Sequence, residues 1–277
     1  MKHTELGWKA LDGLNIFAQT WEPDSPPKAV ICLVHGLGEH SGRYAHVAET
    51  LNRGGYAVIA SDLRGHGKTE GKRGHSPSFN AFMDDIAILM GEYAQRYAGL
   101  PCFLWGHSLG GVLVVNYVLR RKPKLTGVVI TSPGLKTSIS DQKMKIQFAK
   151  IAGKFMPEMS MPTGLDAKLI SRDPAVVERY VNDPLVHGTA TLAMAKYTIE
   201  AIPWAYAHAS EWDLPVLIMH GDADAIAFVS GSEEFASKIA QDCTLKIWPG
   251  LWHETHNEPE KEQVLAYALG WLDGQLS

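Results

Sequence analysis

The segment GHSLG, residues 106–110, has the residue types and the spacing that could turn a serine into a nucleophile. A short apolar run, residues 102–105, precedes it, and residues 109–121 follow it with the period of an amphipathic helix. Such an order predicts a sharp turn from strand to helix, where the glycines allow the two elements to approach closely. The hydroxyl of Ser108 would lie above the helix N-terminus, which favours developing negative charge. We interpret Ser108 as a nucleophile; the alternative is a glycine-rich turn with an incidental serine.

A serine at its ordinary pKa is a poor nucleophile, so it needs a base, and the base needs an orienting carboxylate. In this context the acid and then the base are expected to follow the serine along the chain, each in a loop after a strand. The segment LPVLIMHGDAD, residues 214–224, is a predicted strand and turn that carries Asp222 and Asp224. The segment TLKIWPGLWH, residues 244–253, is the next predicted strand and ends at His253. The order of the chain therefore supplies both partners.

A loop early in the chain has the composition needed to stabilise a negatively charged oxygen. Residues 29–34 are apolar and are followed by HGLG, residues 35–38. Backbone N–H groups of such a loop and of the residue after the nucleophile form an oxyanion hole. We therefore predict that the amides of Leu37 and Leu109 take this role.

The motif HETH, residues 253–256, raises the alternative of a zinc site. Metalloprotease helices carry H-E-x-x-H, in which the two histidines lie on one helix face. Here the two histidines are one position closer, in a loop after a strand, and spacing identifies no third ligand. We predict no metal, and we predict that His256 and Glu258 are structural residues beside the site.

Apolar, β-prone runs alternate with segments of helical period through most of the chain. Runs typical of strands buried on both faces occur at residues 29–34, 56–61, 102–105, 127–131, 215–220 and 244–248. Helical periodicity occurs at residues 43–53, 79–97, 109–121, 232–240 and 259–276. This alternation predicts an α/β fold with a mostly parallel sheet flanked by helices.

The alternation stops between residues 136 and 212, where we find helical stretches interrupted by prolines and no strand-like run. We predict a helical cap at residues 136–212, inserted into a core domain of residues 1–135 plus 213–277. The segment EPDSPPK, residues 22–28, is predicted to form a hairpin turn.

The composition is that of an ordinary globular protein and argues against nucleic acid as a partner. The 277 residues carry 26 Lys and Arg against 30 Asp and Glu, so no basic field is available to hold nucleic acid. The three widely spaced cysteines are predicted to be reduced and buried. The N-terminus lacks a secretory signal pattern and no run of about 18 apolar residues occurs, so we expect a cytoplasmic protein. We infer no cofactor and no obligate protein partner.

Four segments together, VHGLGEHSGRY, DLRGHGKTEGKRG, FLWGHSLGG and HGDAD…GLWH, resemble the monoacylglycerol lipase and lysophospholipase branch of the α/β-hydrolase superfamily, also called serine aminopeptidase-like hydrolases. The resemblance implies the α/β-hydrolase fold with a helical cap and a catalytic triad. It places the nucleophile on Ser108, the acid on Asp224 rather than Asp222, and the base on His253.

The resemblance also implies a set of substrate-binding residues. Glu39 and Arg43 would shape the polar, glycerol-accepting end of the pocket, although a structural salt bridge between them is an equal alternative. The segment ERYVNDPL, residues 178–185, would make Tyr180 a pocket residue. His107 either faces the pocket or fills the variable position of its motif.

We therefore predict a serine hydrolase of carboxylic esters, acting on monoacylglycerol or lysophospholipid through an acyl-enzyme. The alternatives are a serine aminopeptidase or amidase, a general short-chain carboxylesterase, and a non-catalytic binding module. Residues 144–162 interleave Lys145, Lys150 and Lys154 with methionines, isoleucines and phenylalanines such as Phe148. This pattern is typical either of a cap helix packed on its own domain or of a lid that contacts a membrane or micelle.

Overall fold

The central strands of the main sheet form where the chain is continuously apolar. A computed structural model of the chain describes residues 1–140 and 142–276, without the side chains of Lys143, Lys145, Phe148 and Lys150. The strands are β1 (Lys2–Lys9), β2 (Asn15–Glu22), β3 (Ala29–Val34), β4 (Tyr56–Ser61), β5 (Cys102–His107), β6 (Gly127–Thr131), β7 (Ser160–Pro162), β8 (Thr189–Thr191), β9 (Val216–Gly221) and β10 (Cys243–Trp248). The six runs predicted as buried strands correspond to β3, β4, β5, β6, β9 and β10.

Eight of these strands form one sheet in the order β1-β2-β4-β3-β5-β6-β9-β10. From β4 to β10 all neighbours are parallel, whereas β1 and β2 pair antiparallel with each other and β2 pairs antiparallel with β4. The prediction of a mostly parallel sheet is therefore confirmed. The carboxyl ends of the central strands lie at one edge, since His107 is opposite Thr131, and Trp248 is opposite Gly221.

Helices cover both faces of this sheet. They are α1 (Ala45–Arg53), α2 (Phe79–Arg96), α3 (Leu109–Arg121), α4 (Lys143–Phe155), α5 (Pro174–Asn182), α6 (Leu192–His208), α7 (Val229–Ala236) and α8 (Lys261–Gly274). Side chains of α1 and α8 form a core with one face, and side chains of α2, α3 and α7 form a core with the other. Alternate residues of β3 contribute to the two cores, which explains why that strand is apolar at every position.

The segment between β6 and β9 contains α4, α5 and α6. Side-chain caps begin two of these helices: Asp173 accepts from the amide of Ala175 before α5, and Thr191 accepts from Met194 in α6. The prediction that this segment has no strand is wrong, because β7 and β8 pair antiparallel in a small second sheet. Three-residue strands are too short to show a period of two, so the sequence carries no signal for them.

The N-terminal hairpin also differs from expectation. Residues 22–28 connect β2 to β3, which are not neighbours in the sheet, so they do not form a hairpin turn. The hairpin is β1–β2, closed by a turn in which the amide of Ala10 donates to the carbonyl of Leu14 and Gly13 has a φ of 86°. Cys32 and Cys102 are reduced and buried as predicted, whereas Cys243, on the edge strand β10, is only half-buried.

Within the described residues, no helix has both the length and the apolar character required to cross a membrane.

The contact between α3 and β3 depends on the absence of a side chain at Gly110. A Cβ at this position would overlap the carbonyl oxygens of Val34 and His35, which are backbone atoms that cannot rotate away. We expect Gly110→Ala to lower the free energy of unfolding in urea by about 3 kcal/mol. Gly91→Ala is the matched control, because Gly91 lies in the exposed face of α2 with nothing near its Cβ position, and it should stabilise by about 0.5–1 kcal/mol. Equal shifts for both variants would contradict this account.

Candidate active site

Ser108 occupies the turn between β5 and α3 and has a strained backbone. Its φ of 52° and ψ of −115° lie in a region that a non-glycine residue adopts at a cost of about 1–3 kcal/mol. The surrounding backbone stabilises this conformation, since the amide of Ser108 donates to the carbonyl of Thr131 at 3.0 Å, and its carbonyl accepts from Gly134 at 3.1 Å. The hydroxyl therefore has a fixed position at the carboxyl edge of the sheet.

His253, in the loop after β10, contacts both of the other residues of the predicted triad. Its Nδ1 lies 2.7 Å from Oδ2 of Asp224, and its Nε2 lies 2.9 Å from Oγ of Ser108. Because a carboxylate only accepts, the proton of the neutral ring is on Nδ1, and Nε2 is free to accept the hydroxyl proton of Ser108. The structure thus brings Ser108, Asp224 and His253 together in one hydrogen-bonded chain.

Burial and charge oppose each other at this chain. Burial raises the pKa of Asp224, but the positive charge of His253 and hydrogen bonds to the carboxylate outweigh burial and hold the pKa well below its ordinary value. Burial lowers the pKa of His253, but the Asp224 carboxylate outweighs it and raises the pKa above that of a free histidine. The acid is therefore ionised at neutral pH, and the base titrates at a higher pH than usual.

Asp222, the other acid that the order of the chain allows, lies in the turn and not in the site. Its Oδ1 accepts from the amide of Gly250 at 2.6 Å, and its side chain is exposed. It links the loop after β9 to the loop after β10.

The loop after β3 lies beside Ser108. Gly38 has a φ of 77°, and its carbonyl accepts from the amide of His187 at 2.9 Å. Leu37 and Ser108 line the same cavity. Leu109 is the first residue of α3, so its amide has no acceptor within the helix. An oxyanion hole formed by the amides of Leu37 and Leu109 stays a prediction.

A buried ion-pair cluster adjoins the cavity. Arg43 donates from Nη1 to Glu39 at 2.6 Å and binds both carboxylate oxygens of Glu254 at 2.7 Å. Glu39 also accepts from the hydroxyl of Tyr44 at 2.7 Å and from the amide of Gly36 at 2.6 Å. The salt bridge that the sequence left as one alternative is therefore present, and the Glu39 carboxylate also lines the cavity.

Two further residues predicted to bind substrate, His107 and Tyr180, also line the cavity. His107 is buried, with Nδ1 3.0 Å from Oγ1 of Thr131, and burial together with the nearby charge of His253 lowers the pKa of His107 to about 4. Arg43, also predicted to bind substrate, is not among the residues that line the cavity; it lies behind them, with its guanidinium 4.7 Å from the ring of Tyr180 and paired with Glu39 and Glu254.

Sequence reasoning missed three residues of this cavity: Glu254, Leu165 and Ile170. Glu254 directly follows His253, but its partner Arg43 is 211 positions away, so no local pattern reveals the pair. Leu165 and Ile170 belong to the segment between β6 and β9, in which the sequence shows helices but not the face that meets the core.

His256 and Glu258, predicted to be structural residues beside the site, make contacts of that kind. The ring of His256 stacks on Tyr44 with 5.0 Å between centroids, and Glu258 accepts from the Nε of Arg172 at 2.6 Å. In the part of the chain that the structure describes, no group of three or more His, Cys, Asp or Glu residues is arranged to hold a metal ion.

The arrangement around Arg43 predicts a large loss of stability when its charge is removed. The side chains of Arg43, Glu39 and Glu254 are 11%, 3% and 4% exposed, so Arg43→Ala would leave two buried carboxylates without a counter-charge. We expect the free energy of unfolding at neutral pH to fall by about 3–5 kcal/mol. The loss should shrink as the pH is lowered, because protonation removes the unpaired charges.

Arg53→Ala is the matched control for this experiment. Arg53 also pairs with a glutamate four residues away, Glu49, but the two side chains are 66% and 52% exposed. Water and salt screen such an exposed pair, so its removal should change the free energy of unfolding very little. Losses of equal size for the two variants in urea unfolding would refute the role assigned to the buried cluster.

Comparisons with known proteins find relatives of this chain among hydrolases. Residues 25–260 match the family described as Serine aminopeptidase, S33. A monoacylglycerol lipase of Mycolicibacterium smegmatis is 35% identical over 275 residues, which cover 99% of this chain and 98% of that protein. An abhydrolase domain-containing protein of Dictyostelium discoideum is 37% identical over 257 residues, and the chain spans 27% of its length.

A solved structure extends the similarity to the fold. The crystal structure of a Paleococcus ferrophilus monoacylglycerol lipase has a TM-score of 0.85 and 34% sequence identity, with 99% of this chain and 100% of that chain covered. The chain therefore belongs to the serine aminopeptidase S33 family, in the monoacylglycerol lipase and lysophospholipase branch of the α/β-hydrolases, and is a carboxylic ester hydrolase.

Proposed function

We propose that this enzyme hydrolyses monoacylglycerol or lysophospholipid through a covalent acyl-enzyme on Ser108. The observation that carries the proposal is the hydrogen-bonded chain from Ser108 through His253 to Asp224. The Ser108 end of this chain lies in a cavity at the carboxyl edge of the sheet. A lone serine would not be activated, whereas this chain contains the base and the orienting acid that nucleophilic catalysis requires.

In the proposed mechanism, Oγ of Ser108 attacks the ester carbonyl while Nε2 of His253 takes its proton. Asp224 holds the proton on Nδ1 and stabilises the imidazolium. The amides of Leu37 and Leu109 stabilise the oxyanion, and His253 returns the proton to the leaving alcohol. Water, activated by the same histidine, then releases the fatty acid.

The polar wall of the cavity favours an uncharged alcohol as the leaving group. Glu39 and Glu254 line this wall, but Arg43 pairs with both carboxylates. Both carboxylates are therefore engaged by one guanidinium, and the wall offers hydrogen-bonding groups without an unpaired carboxylate. A free amine, as in an aminopeptidase substrate, would be favoured by an unpaired carboxylate, so this arrangement argues for an ester of glycerol over a peptide.

The opposite wall comes from residues 136–212, which we propose act as a movable cap. Leu165, Ile170 and Tyr180 line the cavity beside Ser108, which has a volume of only about 10 Å³. Such a cavity holds about one water molecule, whereas binding sites for small molecules usually enclose about 300–1,000 Å³, so a long acyl chain requires these residues to move away. Ile170 is linked to the catalytic loop, because its carbonyl accepts from the amide of Glu254 at 2.8 Å.

The outer surface of the cap is apolar, which supports contact with a membrane or micelle. Exposed large apolar side chains occur along the chain from α4 to β7: Met144, Ile151, Phe155, Met156, Met159 and Met161. Lys154 is exposed among them, while the side chains of Lys145, Phe148 and Lys150 lie outside the described residues. Segments that bind lipid surfaces carry apolar side chains on the face that enters the lipid and basic residues on the polar face.

The function is tested with Ser108→Ala and a panel of monoacylglycerols, diacylglycerols, lysophosphatidylcholine, p-nitrophenyl esters and aminoacyl anilides. We expect wild type to prefer monoacylglycerol or lysophosphatidylcholine, and Ser108→Ala to lose more than about 10⁴-fold in kcat, because no other group can form the acyl-enzyme.

Ser138→Ala, at an exposed position, is the control and should keep wild-type activity. Ester hydrolysis by Ser108→Ala within tenfold of wild type would show the assignment to be wrong. A fluorophosphonate probe that fails to label wild type would point to the binding-module alternative, and faster cleavage of anilides would point to an aminopeptidase.

The membrane contact is tested by replacing Phe155 and Met144, which are 75% and 88% exposed, with glutamine. We expect the double variant to lose about tenfold in activity on emulsified monoacylglycerol, because less apolar surface enters the lipid, and to keep its activity on soluble short esters. Leu11→Gln, at a 79% exposed position in the β1–β2 turn, should change neither activity. A loss by the same factor on both kinds of substrate would contradict the contact.

A further inference from the structure

The carboxylate of Asp224 accepts from a second histidine besides His253. Its Oδ1 accepts from the amides of Ile226 and Ala227 at 2.8 and 3.0 Å. Its Oδ2 lies 2.7 Å from Nδ1 of His253 and 3.1 Å from Nε2 of His220. The oxygen that orients the base is therefore shared between two imidazole rings.

The surroundings of His220 determine which nitrogen carries its proton. Nε2 faces two acceptors, Oδ2 of Asp224 and the carbonyl of Ala227 at 2.8 Å, so it must be the donor. Nδ1 lies 2.7 Å from Oγ of Ser232, whose hydroxyl can donate to it. Both His220 and Ser232 are fully buried, so water does not compete for these contacts.

These contacts link the elements on either side of the acid. His220 lies in β9, Asp224 and Ala227 lie in the loop that follows, and Ser232 lies in α7. One imidazole ring thus connects the strand, the loop and the helix to the same carboxylate oxygen. A side chain placed in this way restricts both the position and the rotation of the Asp224 carboxylate.

We infer that His220, held in one tautomer by Ser232, is a positioning residue that keeps Oδ2 of Asp224 in line with Nδ1 of His253. The inference rests on the proposed function, in which the orientation of His253 determines how well it accepts the proton of Ser108. Misplacement of a catalytic group by about 1 Å costs on the order of 100-fold in rate, so a residue that prevents such movement affects kcat without contacting the substrate.

His220 also affects the charge that His253 senses. A hydrogen bond donated to a carboxylate stabilises and disperses its negative charge. Without this bond, Asp224 attracts the imidazolium form of His253 more strongly, and the pKa of His253 rises further. Because kcat/KM requires neutral His253, the acid limb of the pH profile of kcat/KM moves to higher pH. The other charged groups that act on His253, Glu39 and Glu254, are unchanged, so they do not contribute to the shift.

The test compares three substitutions of His220. Leucine cannot donate to Asp224. The amide nitrogen of glutamine reaches the position of Nε2 and can donate to Asp224, whereas the amide of the shorter asparagine reaches only the position of Nδ1, near Ser232. Glutamine and asparagine differ by one methylene and are both polar, so they form a matched pair.

We expect His220→Leu to lower kcat about 30-fold with KM changed less than about twofold, and to move the acid limb of kcat/KM upward by about 0.5 pH unit. His220→Gln should recover kcat to within about threefold of wild type, and His220→Asn should resemble His220→Leu. The readouts are kcat and KM from pH 5 to 9 on a soluble p-nitrophenyl ester, the rate of fluorophosphonate labelling, and urea unfolding.

A wild-type kcat and an unshifted acid limb in His220→Leu would overturn the inference. So would equal activity of the glutamine and asparagine variants, which decides the matter even where the leucine variant fails to fold. A purely structural role would lower the free energy of unfolding without moving the pH profile. If wild type hydrolyses no ester and is not labelled by the probe, the proposed function fails and the inference fails with it.

Discussion

The catalytic arrangement depends on one hydrogen bond, between Oγ of Ser108 and Nε2 of His253, which joins residues 145 positions apart. Neither residue can reach the other through local structure. They meet because β5 and β10 run in the same direction in one sheet, with β6 and β9 between them. The strands end at one edge, so short loops are sufficient to bring the nucleophile, the acid and the base within hydrogen-bonding distance.

A second constraint follows from burial. Asp224, Glu39, Glu254 and Arg43 are all removed from water around the cavity, and an unpaired charge in such a place would be very unfavourable. Each carboxylate accepts hydrogen bonds from its own partners: amides and histidines for Asp224, and Arg43 for the two glutamates. The same exclusion of water that makes these pairs necessary also strengthens the hydrogen bonds at the triad.

The sequence predicts the central part of the fold well because strands buried on both faces are continuously apolar, and β3, β4 and β6 occur at the predicted residues. It does not predict β1 and β2, since these outer strands mix polar and apolar residues. Within the site, Ser108 is recognisable in the sequence because two glycines flank it at fixed spacing, a strand precedes it and a helix begins directly after it. The choice between Asp222 and Asp224 needed the resemblance, and the pairing of Arg43 with Glu254 depends on the folded chain alone.

Residues 136–212, the proposed cap, carry exposed apolar side chains as well as residues that line the cavity. The exposed apolar side chains of α4 and β7 include Met161, only four positions before Leu165, which lines the same cavity as Ser108. The same segment also contacts the loop after β3, because Asp183 pairs with His40 at 2.9 Å and Tyr180 packs on Arg43. In the proposed function, a lipid surface that binds the exposed side chains would act on a segment that also lines the cavity and contacts the loop after β3. Access of the acyl chain and the arrangement of that loop would then depend on movement of the same segment.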